Sequence, residues 1–103
     1  MTVPTENVAT LAGYQSEARR TINRELTDDL RLLDASAGLV EEAGEVLSHV
    51  RKHVLQGRPL DREAVVLELG DALWCLAIAA DTLGVSLQDV AQRNLEKLRS
   101  RHP

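Results

Sequence analysis

The stretch AVVLELGDALWCLAIAA, Ala64 to Ala80, decides how this chain reads. Its ionisable side chains are Glu68, Asp71 and the thiol of Cys75, and Gly70 is the one position that a helix disfavours. It reads as a helix buried on most sides. Glu68 and Asp71 stand three apart, which stacks them on one face of that helix. A carboxylate taken out of water without a partner is strongly destabilising, and two side by side with no Lys or Arg within a turn repel each other as well. Either the pair shares a proton or a cation sits between them. Paired carboxylates suit hard divalent cations, so a metal is the first explanation, with buried ion pairs to Arg51 or Lys52 as the alternative.

Working outward, Asp61 is placed to cap this helix, which should end near Leu83-Gly84. Before it, Thr27 with Asp28 and Asp29 looks like an N-cap followed by acids suited to the helix dipole. From there Leu30, Leu33, Ala37, Val40, Gly44, Leu47 and Val54 recur at three and four, up to a stop at Gln56-Gly57 and Pro59. An earlier helix, capped by Thr5 or Asn7, should pass through Tyr14, Gln15, Ala18 and Thr21 to about Leu26. Ser86, with Asp89 three later, opens a last helix that runs to about Arg101. No strand-like alternation, repeat or low-complexity segment interrupts this pattern. Residues 1–103 thus form a single all-α domain, a four-helix antiparallel bundle or a close relative of one.

A chain of 103 residues with no Phe, one Tyr and one Trp has a thin aliphatic core. Small helical chains of this kind often finish burying their apolar faces against copies of themselves, so a homo-oligomer is expected. The formal net charge of -4 argues against a nucleic-acid partner. The lone Cys75 fits a reducing cytoplasm, the polar N-terminus shows no signal peptide, and the Ala64–Ala80 run is too short and too acidic to span a membrane. A soluble cytoplasmic protein is expected.

The second helix carries Glu41, Glu42 and Glu45, and Glu42 and Glu45 repeat the three-residue spacing of Glu68 and Asp71. Placed antiparallel, the two helices would bring four carboxylates into one volume, an oxygen-rich cage for Mg²⁺ or Mn²⁺. Taken alone, the three glutamates lie on the side away from Val40, Gly44 and Leu47, where a solvated face is the simpler reading. Di-iron bundles need Glu-x-x-His on two helices, and here Ser48 follows Glu45 and Asp71 follows Glu68 at that spacing. Mg²⁺ held by carboxylates that leave room for water and phosphate is the chemistry of phosphoanhydride cleavage. On the last helix Asn94, Lys97 and Arg101 share a face that suits a polyphosphate, or simply complements the helix dipole.

GLVEEAGEV at Gly38–Val46, ELGDALW at Glu68–Trp74, the terminal NLEKLRSRHP and, at Tyr14–Thr21, YQSEARRT together resemble the MazG-like family of all-α nucleoside triphosphate pyrophosphohydrolases. The family motif EExxE…ExxD reads here as Glu41-Glu42-x-x-Glu45 and Glu68-x-x-Asp71. The resemblance implies Mg²⁺-dependent hydrolysis of a nucleoside triphosphate between the α and β phosphates, with non-standard or surplus triphosphates as candidate substrates of a house-cleaning enzyme. It assigns the metals to Glu42, Glu45, Glu68 and Asp71 and the attacking water to Glu41. It assigns substrate contacts to Asn94, Lys97 and Arg101, with Gln15 and Trp74 in the substrate pocket, and implies a homodimer or homotetramer. Cys75 stands where family members often carry an aromatic residue, which bears on base affinity. Phosphoribosyl-ATP, dUTP and dCTP remain alternative substrates, and a non-catalytic module with a structural cation is the reading from another class.

Overall fold

Four local capping signals set the helices of the computed structural model, which describes residues 10–103. Helix α1 is Leu11–Arg19, α2 Asp28–Gln56, α3 Arg62–Thr82 and α4 Leu87–Arg101, and no strand occurs among the described residues. The Thr27 hydroxyl accepts from the Leu30 amide at 3.3 Å, the Asp61 carboxylate from Ala64 at 3.1 Å and the Ser86 hydroxyl from Asp89 at 2.9 Å. Gly57 ends α2 at φ 67°, a left-handed position that a side chain resists.

The first helix departs from expectation at both ends. Thr10 is its cap, accepting from the Gly13 amide at 2.9 Å, whereas Thr5 and Asn7 lie outside the described residues. It stops at Arg19 instead of running to Leu26. Thr21, Ile22 and Asn23 are poor helix formers, and the Asn23 side chain takes the Glu25 amide at 3.0 Å in a local turn. Arg31 then fixes the linker by donating to the carbonyls of Asn23 at 3.2 Å and Leu26 at 3.0 Å.

The short link at residues 57–61 folds α2 and α3 into an antiparallel hairpin, and α1 and α4 cover the C-terminal half of α3. There Ala18, Ala35, Ala77, Ile78 and Leu87 form the buried core, with Leu11, Tyr14, Ile22, Leu73 and Trp74 packed around it. Gln15 is buried at this junction. Its amide donates to the carbonyls of Val85 at 3.1 Å and Ala77 at 3.5 Å and accepts from the Leu87 amide at 2.7 Å, tying α1 to the α3–α4 turn. Among the described residues, α2 packs chiefly against α3 and makes no close backbone approach to α1 or α4, although its Ala35 joins the core they share.

Two expectations about burial fail for that reason. The apolar stripe of α2 faces outward: Val40 is 74% exposed, Leu33 64% and Leu47 55%, while Ala35, Gly38, Leu39, Glu42 and Val46 turn toward α3. Helix α3 is buried only in its C-terminal half, and Val66, Leu67 and Leu69 are exposed. Among the described residues, no helix is long and apolar enough to cross a membrane.

Candidate functional site

The α2–α3 register follows from one close approach. A Cβ added to Gly38 would lie 2.9 Å from Cys75 Sγ, so α2 and α3 come close at this pair. In an antiparallel pair each step forward along α2 is a step back along α3. Glu42 therefore comes level with Asp71, and Glu45 with Glu68. Glu42, Glu68 and Asp71 each place a carboxylate oxygen within 4.8 Å of the others. Glu45 stands one turn further, outside that trio but close enough for its charge to act on Glu42. The solvated-face reading of the α2 glutamates is thus wrong for Glu42, which is half-buried against α3, and right for Glu41 and Glu45, which are exposed.

Among the described residues, no Lys or Arg forms an ion pair with Glu42, Glu68 or Asp71, so the pairing with Arg51 or Lys52 does not form. Glu42 Oε2 is out of reach of solvent and has no hydrogen-bond donor among the described residues. The Glu42 carboxyl is pushed up to about 7, first by the hydrogen bond it makes with Glu68 when one of them is protonated, then by burial and by the charges of Glu68, Asp71 and Glu45. An all-carboxylate trio without a cation, containing one orphaned oxygen, fits a hard divalent ion. Beside it opens a cleft of about 280 Å³ lined by Asp34, Ala37, Gly38, Glu41, Glu42, Asp71, Trp74 and Cys75. Burial, followed by the charges of Glu42, Asp34, Asp71 and Glu41, pushes the Cys75 thiol up and keeps it neutral on the cleft floor.

Trp74 lies in the cleft, but Gln15 does not: its polar atoms are spent on backbone at the other end of α3. Asn94, Lys97 and Arg101 are exposed on α4, which packs on α1 and α3 and makes no close backbone approach to α2 among the described residues. Within one chain the acids and this basic stripe stay apart. Asp34 was not singled out from sequence, although it stands seven residues before Glu41, on the same face of α2. Gly38, three before Glu41, carried a similar signal.

An antiparallel helix hairpin with acids at matched three-residue spacings, opening onto a cleft, defines an acidic all-α site whose donor set suits a divalent ion. The chain belongs to the MazG nucleotide pyrophosphohydrolase domain family, whose sequence model matches residues 31–103. Helix α1, with the YQSEARRT segment, precedes the matched span. Over 69 residues the chain is 44% identical to the Gene 37 protein of Mycobacterium phage L5, covering 62% of this chain and 60% of that protein. Over 72 residues it is 39% identical to the uncharacterized protein YvdC of Bacillus subtilis (strain 168), covering 61% of this chain and 68% of that protein. No solved structure matches the chain.

Proposed function

We propose that the cleft hydrolyses a nucleoside triphosphate between its α and β phosphates, releasing a nucleoside monophosphate and pyrophosphate. The observation that carries this reading is the carboxylate trio Glu42, Glu68 and Asp71, within 4.8 Å of one another and without a cation partner. With Glu45 one turn away, these residues would hold Mg²⁺, with Mn²⁺ as a substitute. Bound there, the ion supplies Lewis-acid stabilisation of phosphate oxygens and acidifies water. Glu41, on the cleft wall, is the acid left over to take the proton from the attacking water. Trp74 and Asp34 form the side of the cleft away from the trio, where the nucleoside would lie.

Exposed aliphatic side chains at Val40, Leu47, Val66, Leu67 and Leu69 surround the acidic hairpin, more apolar surface than a small monomer leaves in water. A homodimer or homotetramer would bury it, and a neighbouring copy would supply the Asn94, Lys97 and Arg101 contacts to phosphate that one chain does not. The free thiol of Cys75 is in keeping with work in a reducing cytoplasm.

The test is pyrophosphate release from a panel of ribo- and deoxyribonucleoside triphosphates, with phosphoribosyl-ATP included, with and without Mg²⁺. Activity should need the metal, and Glu42→Gln or Asp71→Asn should lower it by more than the roughly 10–100-fold that even outer-shell partners of a metal cost. Both variants should fold, since neither residue forms an ion pair and the amide of Glu42→Gln can still donate to Glu68. Full Mg²⁺-dependent turnover in either variant rules the mechanism out. A wild-type protein that Mg²⁺ stabilises but that cleaves nothing is instead a module with a structural cation.

A further inference from the structure

Trp74 is held in the cleft by a residue far away in sequence. Its indole Nε1–H donates to the Thr21 hydroxyl at 2.7 Å, across a separation of 53 residues. The Thr21 hydroxyl donates its own proton to the Ala18 carbonyl at 2.7 Å, which leaves the oxygen's lone pairs for the indole. Thr21 is itself pinned on both sides, by buried Ala18 and by Ile22 packed on the core, and its amide bonds the same Ala18 carbonyl at 3.0 Å. A relay of two short hydrogen bonds therefore runs from the core to the cleft wall.

We infer that Thr21 is a positioning residue for the substrate: it fixes the Trp74 indole as a flat wall against which the nucleotide's base stacks. This rests on the pyrophosphohydrolase reading above and deepens it. Trp74 follows Asp71 by one helical turn, so its ring lies on the side of the cleft beyond the acids. Asp34 lies eight residues, roughly 12 Å of helix rise, before Glu42 and marks the same end of the cleft. A nucleotide whose phosphates meet the acids extends its base toward that end. Trp74 is partly buried against the core, but rotation of an indole about its terminal torsion is soft, so without its polar anchor the ring gains freedom on the cleft side. Any base offers a π face to a ring held still, and such stacking is worth roughly tenfold to a hundredfold in affinity.

Thr21→Val keeps the shape of the side chain and removes only the hydroxyl. The Ala18 carbonyl keeps its bond from the residue 21 amide, and the freed indole N–H can reach water, so the fold should survive. The experiment measures pyrophosphate release by wild type, Thr21→Val and Thr21→Ser, using the four ribo- and four deoxyribonucleoside triphosphates with Mg²⁺. Emission of Trp74, the single tryptophan, is recorded in parallel. Thr21→Val should raise KM about fivefold with kcat within about twofold of wild type and shift the Trp74 emission, part of the stacking gain being lost. Thr21→Ser should restore both. In a Trp74→Phe background, where the ring has no N–H to hold, Thr21→Val should leave KM unchanged.

A Thr21→Val protein with a lower Tm but wild-type KM would mean that Thr21 only ties the linker to α3, and the inference is lost. A fall in kcat matching the rise in KM, or the same KM change in the Trp74→Phe background, overturns it too. If wild type itself releases no pyrophosphate from any triphosphate, the pyrophosphohydrolase reading fails before any variant is compared, and this inference falls with it.

Discussion

Adding a methyl group at Gly38 tests the register on which the whole site depends. An Ala Cβ there would meet Cys75 Sγ at 2.9 Å, well inside van der Waals contact. Cys75 is buried, and its sulfur sits one bond from its own Cβ, so it has little freedom to move aside. Overpacking of this kind costs about 1–3 kcal/mol. Against it stands the gain from replacing a mid-helix glycine by alanine, about 1 kcal/mol. The net expectation for Gly38→Ala is a loss of about 1 kcal/mol, or about 5 °C in Tm for a chain of this size. In a Cys75→Ala background the obstructing sulfur is gone, and the same substitution should stabilise by about 1 kcal/mol. The cycle thus predicts a change of sign, read from urea unfolding of all four proteins in EDTA at one protein concentration. Gly44 and Gly70 serve as controls, because an added Cβ at either meets nothing within 4 Å in the chain. Alanine at Gly70 should stabilise. Alanine at Gly44 should do so as well unless a second copy packs on the outer face of α2, in which case its effect turns unfavourable and grows with protein concentration. If Gly38→Ala stabilises equally in both backgrounds, the helices are not close at that point and the alignment of Glu42 with Asp71 is wrong.

Two further expectations concern the acids and the junction. Because the Glu42 carboxyl is raised from 4.5 to about 7, the folded protein holds a proton that the unfolded chain has already released between those values. Its contribution to stability is complete below about 4.5 and is lost as the pH rises through about 7, so in EDTA the Tm of wild type should fall from pH 5 to pH 8 relative to Glu42→Gln. Mg²⁺, which needs the ionised form, should reverse that trend; parallel pH profiles for the two proteins would refute the raised carboxyl. Gln15→Ala removes three bonds to backbone, two of them buried, and strands the Leu87 amide, at about 2–4 kcal/mol. It should lower Tm by about 10 °C or more while leaving KM for the triphosphate unchanged, and a raised KM in a protein of normal Tm would return Gln15 to the substrate pocket.

What the sequence made legible was what local chemistry decides. Thr27, Gly57, Asp61 and Ser86 mark helix ends because each acts on backbone groups within a few residues, and all four act as expected. The acid cluster was legible because two three-residue spacings joined by a short link leave few registers for an antiparallel pair. The end of α1 was missed because Arg31, eight residues beyond Asn23, helps to hold the linker. The Thr21–Trp74 bond, spanning 53 residues, has no local signature at all.

The facing of α2 failed for a more informative reason. That helix carries two stripes, and hydrophobic periodicity favours the one with Leu33, Val40 and Leu47. The chain instead turns Glu42 inward and leaves Val40 in solvent. For an isolated monomer both choices are unfavourable: an acid oxygen loses water without gaining a donor, and large aliphatics stay wet. A divalent ion removes the first penalty and a second copy the second. On the proposed function the inversion would be the trace that metal and self-association leave on a single chain, and that reading predicts that each strengthens the other. On that reading Mg²⁺ would draw the acids of α2 and α3 together and firm the hairpin, so the protein with Mg²⁺ should self-associate at lower concentration than the protein in EDTA. Glu42→Gln should remove that difference. If the metal leaves association unchanged, the two anomalies of α2 have separate causes.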